Sequence, residues 1–163
     1  ILLAWLLGAL TKEVHIERLL LPYFESMPIT IIPVTFFVLA AIISFSTGTS
    51  FATMSIMFPV VIPIVIDLDL PSEYIHASIS VILSGAIFGD HCSPISDTTI
   101  LSSAACDCDH TSHVKTQLPY AITVGLVSSL CLFLTFSLNQ SPIIVLLFGI
   151  VLNWGIIKML GKS

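Results

Sequence analysis

Residues 28–66 read PITIIPVTFFVLAAIISFSTGTSFATMSIMFPVVIPIVI and contain no charged side chain. Between Glu25 and Asp67 the chain has 41 uncharged residues, and a membrane-spanning helix needs only about 20 mainly apolar residues. The small and hydroxyl residues SFSTGTS, 44–50, interrupt this stretch, and Gly is among the weakest helix formers. The sequence therefore predicts two apolar segments, 29–43 and 51–66, separated by a break around Gly48.

The length of these two segments leaves two arrangements open. Each segment has about 15 residues, or roughly 23 Å of helix, which is less than a hydrocarbon core of about 30 Å. One arrangement is a single long crossing that is unwound in the middle, and the other is a re-entrant hairpin with its tip at 47–50. We favour the hairpin, because about 38 residues are too many for one crossing and few for two.

The composition of the chain predicts an integral membrane protein. Hydrophobic residues make up 56% of the 163 residues, charged residues only 9%, and the mean hydropathy is +1.06. These values exclude a soluble enzyme domain and a disordered tail, and a net charge of −5 excludes a nucleic-acid-binding protein, which needs a basic face. Because backbone hydrogen bonds must be satisfied within each span, we expect an all-α integral membrane protein, a helical bundle with a re-entrant or discontinuous helix pair and a broken transmembrane helix.

Further segments follow from the same patterns. Residues 1–10 predict the end of a truncated helix, since the chain starts without Met and with too few apolar residues to cross. Residues 75–106 predict a broken helix, because Pro94 removes a helical hydrogen bond. A second uncharged run, 42 residues long, predicts transmembrane helices at 118–138 and 142–160. We expect the protein to lie in the cell membrane, and Lys158 and Lys162 predict that its C-terminus is cytoplasmic.

Two carboxylates lie in the second break, GDHCSPISDTT, residues 89–99. An ionised Asp at mid-membrane costs about 2.5–3.5 kcal/mol, so Asp90 and Asp97 predict a functional cavity in an unwound segment. Hydroxyl groups of Ser93, Ser96 and Thr98 add hard oxygen ligands, which suit a small cation such as Na⁺. The sequence predicts a Na⁺ site that draws its ligands from these two breaks: Asp97, Asp90, Ser96 and Thr49.

The same carboxylates could also bind protons. Burial disfavours the charged form of a carboxylate, so such a group can take up a proton when the cation has left. Competition of one cation and one proton for one charge is the minimal basis of antiport. Two structural alternatives remain open. One is that Asp90 and Asp97 act only as caps of half-helices, and the other is that Thr47, Gly48, Thr49 and Ser50 serve only helix packing.

Histidines and cysteines suggest a different class of function. His91 is a candidate proton relay or hydrogen-bond partner for Asp90. Together with Cys92 and the cluster CDCDHTSH, 106–113, it also suggests a metal-binding membrane sensor. The spacing of Cys106 and Cys108 argues against a zinc site, because one intervening residue is fewer than the two to four usual between paired cysteines.

The motif GDHCSPISDTTILSS, followed by HVKTQLPYA, resembles the NhaC-type sodium/proton antiporter family. The resemblance extends to AWLLGAL, 4–10, and SFSTGTSFATMSIMFP, 44–59. It implies a secondary transporter of the wider ion-transporter superfamily, in which each of two inverted halves has a re-entrant hairpin and a broken helix. Residues that fall in the family's two signature stretches are Asp90, His91, Ser93, Ser96, Asp97 and Thr98, and Thr47, Gly48, Thr49 and Ser50.

We therefore expect residues 1–163 to be the C-terminal part of one multi-pass transporter domain that exchanges Na⁺ for H⁺. The expected partners are Na⁺, H⁺, the lipid bilayer and a missing N-terminal half, with a homodimer left open and no nucleic acid. We expect no cofactor and no catalytic residue. A Na⁺- or H⁺-coupled organic-acid exchanger of the malate/lactate type, or an amino-acid carrier, is the alternative, because helix N-termini can bind carboxylates where Lys and Arg are absent.

Overall fold

The structure is a computed structural model that describes residues 2–138 and 140–160. Within these ranges the chain forms helices and no strand, so the predicted all-α fold class is confirmed. Lys162, which contributed to the predicted orientation, lies outside the described residues. The helices are α1 (Leu2–Glu13), α2 (Ile16–Glu25), α3 (Ile32–Thr47) after a short 3₁₀ turn (Ile29–Ile31), α4 (Ser50–Asp67), α5 (Ser72–Cys92), α6 (Asp97–Ala105), α7 (His110–Leu138) and α8 (Pro142–Leu160).

Five helical segments of the described chain are long and apolar enough to cross a membrane. They are Ile29–Thr47, Ser50–Asp67, Ser72–Cys92, His110–Leu138 and Pro142–Met159. Several of these helices continue into polar sequence. The sequence prediction had ended each helix with its apolar run. The chain is therefore a multi-pass membrane protein.

The two segments around Gly48 are longer than predicted. The first has 19 residues and the second 18, where the sequence predicted about 15 for each. The first helix continues through 44–47 because its hydroxyl groups are satisfied without unwinding: Ser46 donates to the Ile42 carbonyl at 2.8 Å, and Ser44 donates to the Ala86 carbonyl of α5 at 2.5 Å. The expectation that neither segment is long enough to span is therefore wrong. The re-entrant hairpin stays a prediction.

The core lies where α3, α4 and α5 pack together, with α2 against its edge. Phe36, Ile64 and Ile82, one from each of the three helices, are completely buried there. By contrast, α7 and α8 leave most of their large apolar side chains exposed, as expected of helices whose outer faces contact lipid. The polar breaks are thus placed beside the best-packed part of the chain.

Two glycines allow α3 and α5 to approach closely. Gly85 and Gly89 are spaced as in a G-x-x-x-G motif, which brings membrane helices into backbone contact. A Cβ on Gly85 would overlap the carbonyl oxygen of Phe37, and one on Gly89 would overlap that of Ala41. The contact fixes the end of α5 against α3 immediately before Asp90.

Two helix boundaries lie in polar sequence, beyond the apolar runs from which they were predicted. α5 continues through Gly89 to Cys92, and α7 starts at His110 instead of residue 118. The Asp109 carboxylate accepts a 2.8 Å hydrogen bond from the Ser112 backbone N–H and so caps α7 in the polar sequence before the apolar run. Hydropathy identifies the apolar part of a helix but not the polar turns that extend it.

Candidate ion-binding site

The two helix breaks lie against each other. Gly48 ends α3 with φ of 66°, a left-handed conformation that favours glycine, and its N–H donates to the Ser44 carbonyl at 2.8 Å. A Cβ at Gly48 would lie 3.0 Å from the carbonyl oxygen of Ile95, which belongs to the break between α5 and α6. The backbone of one break thus packs directly on the backbone of the other.

The Asp90 carboxylate is shared between the two breaks. Its Oδ1 accepts a 2.6 Å hydrogen bond from the Ser96 hydroxyl, and its Oδ2 accepts a 3.1 Å hydrogen bond from the Ser50 hydroxyl. Asp90 is only 9% exposed, and Ser96 is fully buried. A buried acidic group is therefore held by one hydroxyl from the start of α4 and one from the break before α6.

Both hydroxyls belong to helix starts. Ser50 is the first residue of α4, and Ser96 is the N-cap of α6, where its oxygen accepts from the Thr98 N–H at 3.3 Å. Helix starts carry free N–H groups and partial positive charge. Two such ends bring partial positive charge to the same carboxylate, which compensates part of the cost of burying it.

Further hydroxyl groups hold the break between α5 and α6 in place. Ser93, fully buried, donates to the Phe45 carbonyl at the end of α3 at 2.8 Å. The Thr98 hydroxyl lies 2.7 Å from that of Ser96, so Thr98 extends the hydrogen-bonded group by one residue. The Ser93 contact uses a carbonyl group that the end of α3 leaves unpaired, and it connects the break to the core.

The hydroxyl groups of the first break are more loosely arranged. Thr47 Oγ1 lies 3.4 Å from the Thr49 carbonyl oxygen and 3.5 Å from Thr53 Oγ1. The Thr49 carbonyl also accepts from Thr53 at 3.0 Å, while the Thr49 side chain forms no capping hydrogen bond. Thr47 and Thr49 therefore lie beside the Asp90 group without a direct hydrogen bond to its carboxylate in the described structure.

Two predicted site residues lie outside this hydrogen-bonded group. Asp97 is the first residue of α6, and its side chain is exposed, as is that of His91. Within the described residues no hydrogen bond joins Asp97 to Asp90. Asp90 itself lies in the last turn of α5, so the expectation that both carboxylates line an unwound segment is wrong for Asp90, which the α3 contact at Gly89 keeps helical.

Two residues of α7 contact the second break, a contact that the sequence analysis did not predict for either of them. The Gln117 amide donates to the His91 carbonyl at 3.0 Å, and His110 Nε2 lies 2.7 Å from the Pro94 carbonyl oxygen. Gln117 falls in HVKTQLPYA, the motif that carries the family resemblance, so a signal for it was present in the sequence. His110 was considered only as part of the histidine and cysteine cluster.

That histidine and cysteine cluster does not form a metal site in the described residues. No group of three or more His, Cys, Asp or Glu side chains is arranged there to hold a metal ion. Cys106 and Cys108 are free and exposed, and Cys92 is free and buried. The arrangement thus gives no support to the metal-binding sensor.

A cavity of about 700 Å³ opens between α5, α7 and α8, away from the Asp90 carboxylate. His91 lines it, together with Ser84 and Ser128, but most of its lining is apolar. The candidate site is therefore defined by the hydrogen bonds around Asp90 and not by this cavity.

Sequence comparison with known proteins finds one family and several relatives. The sequence profile of the Na⁺/H⁺ antiporter family matches residues 1–137. An uncharacterized protein of Haemophilus influenzae is 40% identical over 128 residues, which cover 78% of this chain and 24% of the relative. The arginine/ornithine antiporter ArcD of Halobacterium salinarum is 36% identical over 100 residues, covering 59% and 20% of the two chains.

A third relative is the malate-2H⁺/Na⁺-lactate antiporter of Bacillus subtilis, 33% identical over 93 residues, which cover 57% of this chain and 19% of the relative. The matched regions are about a fifth to a quarter of the length of these relatives. No solved structure matches the chain.

Proposed function

This chain belongs to the Na⁺/H⁺ antiporter family, a family of transporters and not of enzymes, and on that basis we propose that its protein exchanges Na⁺ for H⁺ across the cell membrane. The observation that carries the proposal is the buried Asp90 carboxylate between the Ser50 and Ser96 hydroxyls. One negative charge, held away from bulk water by two helix breaks, is available to either ion.

The oxygen atoms around Asp90 are suited to both Na⁺ and H⁺. An ionised carboxylate has about four lone-pair positions, and the two serine hydroxyls use only two of them. A serine oxygen also has lone pairs of its own, so the Ser50 hydroxyl can donate its hydrogen to the carboxylate while its oxygen ligates Na⁺. Oxygen ligands of this kind favour a hard cation over a soft metal.

Exchange follows from sharing one charge. When Na⁺ occupies the site, it neutralises the Asp90 carboxylate and leaves no charge for a proton. When a proton binds to Asp90, the group is neutral and its attraction for Na⁺ is lost. Because an uncompensated charge is costly inside the membrane, the site changes sides with one ion or the other bound.

Asp97 and Thr49 are further proposed ligands. Asp97 begins α6, next to Ser96, and Thr49 precedes Ser50 at the start of α4. We assign His91 to the approach of the ions, because its side chain is exposed beside the buried group. The NhaC-type subgroup, the homodimer, the missing N-terminal half and a cytoplasmic C-terminus all remain predictions.

An organic substrate is the second candidate. The names of two relatives specify arginine and ornithine in one case and malate and lactate in the other. Neither SFSTGTS, 44–50, nor GDHCSPISDTT, 89–99, contains Lys or Arg to pair with an organic carboxylate. The starts of α4 and α6 would have to bind that group.

Ion-flux measurements on the full-length protein in proteoliposomes separate these candidates. An outward-directed proton gradient should drive uptake of ²²Na⁺ without any organic solute, and a protonophore should abolish the uptake. Malate, lactate, arginine or ornithine on the opposite side should leave the rate unchanged. Sodium uptake that depends on one of these solutes would identify the organic-substrate carrier instead.

A further inference from the structure

His110 connects the start of α7 to the break between α5 and α6. Its Nε2 lies 2.7 Å from the Pro94 carbonyl oxygen, and its Nδ1 lies 3.3 Å from the Ser103 hydroxyl of α6. Ser103 is only 3% exposed. One side chain of α7 thus contacts both the break and the helix that follows it.

The hydrogens that each atom can donate in these contacts determine which nitrogen of His110 carries a proton. A carbonyl oxygen can only accept, so His110 Nε2 must carry a hydrogen and donate it to Pro94. The Ser103 hydroxyl lies 2.9 Å from the Ile100 carbonyl, to which it donates its single hydrogen. In that arrangement Nδ1 must donate to Ser103, which requires the charged, doubly protonated ring. A neutral ring keeps the Pro94 bond, but the Ser103 hydroxyl must then choose between Ile100 and Nδ1.

Side-chain hydrogen bonds hold the two ends of the segment that His110 contacts, from Ser93 to the Phe45 carbonyl and from Ser96 to the Asp90 carboxylate, while its backbone groups form local bonds. Between Cys92 and Asp97, the Ile95 N–H donates to Ser93 Oγ and the Ser96 N–H donates to the Ser93 carbonyl, both at 3.3 Å. Both bonds are local to the segment, and Pro94 has no N–H to contribute. His110 therefore holds the Pro94 carbonyl from a different helix, α7.

We propose that His110 is a positioning residue, which holds the segment 93–96 so that the Ser96 hydroxyl stays on the Asp90 carboxylate. Ser96 lies two residues after Pro94, so a shift of the Pro94 carbonyl moves Ser96 as well. His110 itself does not touch Asp90. Its effect on transport rests on the proposed Na⁺/H⁺ exchange, but its effect on the segment does not.

Hydrogen–deuterium exchange of the full-length protein tests the proposal without relying on transport. His110→Ala should raise the exchange of the amides in 95–97 and should raise the KM for Na⁺ about tenfold, as expected for the loss of one hydrogen bond. His110→Gln, whose amide can donate to Pro94, should restore both values. The matched control is His113→Ala, one turn further along α7, which should change neither.

Unchanged exchange at 95–97 in His110→Ala would overturn the proposal. If exchange responds as expected while wild-type protein moves no Na⁺, the positioning role holds and the proposed function fails.

Discussion

The Ser96 hydroxyl donates a 2.6 Å hydrogen bond to the Asp90 carboxylate across the break between α5 and α6, and both residues are buried. This bond joins the end of one helix to the start of the next through a carboxylate, a group that can hold either a cation or a proton. The Ser50 hydroxyl adds a longer contact of 3.1 Å from α4. The two serines are therefore expected to differ in their importance.

Ser96→Ala should impair Na⁺ transport more than Ser50→Ala. The shorter and more buried bond contributes more, so we expect Ser96→Ala to raise the KM for Na⁺ about tenfold and Ser50→Ala to raise it less. Initial rates of ²²Na⁺ uptake over a range of Na⁺ concentrations measure both. Ser46→Ala is the matched control, since that hydroxyl only donates to its own helix. A larger effect at Ser50 would contradict the assigned order.

Gly89→Ala should destabilise the protein. The added methyl group would overlap the Ala41 carbonyl, and overpacking of this kind costs about 1–3 kcal/mol. Thermal unfolding in detergent should show a lower melting temperature than wild type. Gly155→Ala provides the control, because nothing lies within 4 Å of a Cβ at that position. Equal melting temperatures for the two variants would show that α3 and α5 are not in contact at Gly89.

Gly48→Ala should be unfavourable for a different reason. The φ of 66° is left-handed, which costs a residue with a Cβ about 1–2 kcal/mol, and the Cβ would also press on Ile95. Because Ile95 is next to Ser96, we expect a higher KM for Na⁺ together with a lower melting temperature. Stability and KM both at wild-type values would mean that the two breaks do not pack as described.

Asp109 should make a small contribution to stability that depends on pH. Hydrogen bonds from the Ser112 backbone hold the pKa of the Asp109 carboxyl below its ordinary value of 3.8. A lowered pKa stabilises the folded state above about pH 3.8, and this contribution disappears as the pH falls through the folded-state value. Asp109→Asn should keep the cap but lose this pH dependence, since Asn caps helices and does not titrate.

Melting temperatures of wild type and Asp109→Asn between about pH 5 and pH 3 measure the difference. Asp107→Asn, in the same connection, serves as the control and should follow wild type. Parallel curves for wild type and Asp109→Asn would contradict the capping role.

Both helix breaks could be predicted from the sequence because they depend on local backbone properties. Gly48 among hydroxyl residues and Pro94 among serines each oppose a continuous helix wherever they occur. The structure ends α3 at Thr47 and α5 at Cys92, next to these residues. The apolar character of the spans was equally visible, since it requires only composition.

Tertiary contacts explain what the sequence analysis did not find. Gly89 and Asp90 were assigned to the unwound segment, but close packing on α3 keeps them helical. The roles of His110 and Gln117 depend on where α7 passes the second break, which no local pattern indicates. The different environments of Asp90 and Asp97 likewise depend on α3 and α4, so the two carboxylates looked equivalent in sequence.

Asp90→Asn is the most direct test of the central claim that one buried carboxylate serves both ions. The amide keeps the size of the side chain but carries no charge and cannot exchange a proton. In proteoliposomes with an outward-directed proton gradient, ²²Na⁺ uptake by full-length Asp90→Asn should fall to the level of protein-free liposomes. Asp67→Asn, the same change at an exposed position at the end of α4, should transport like wild type. Wild-type uptake by Asp90→Asn would contradict the account.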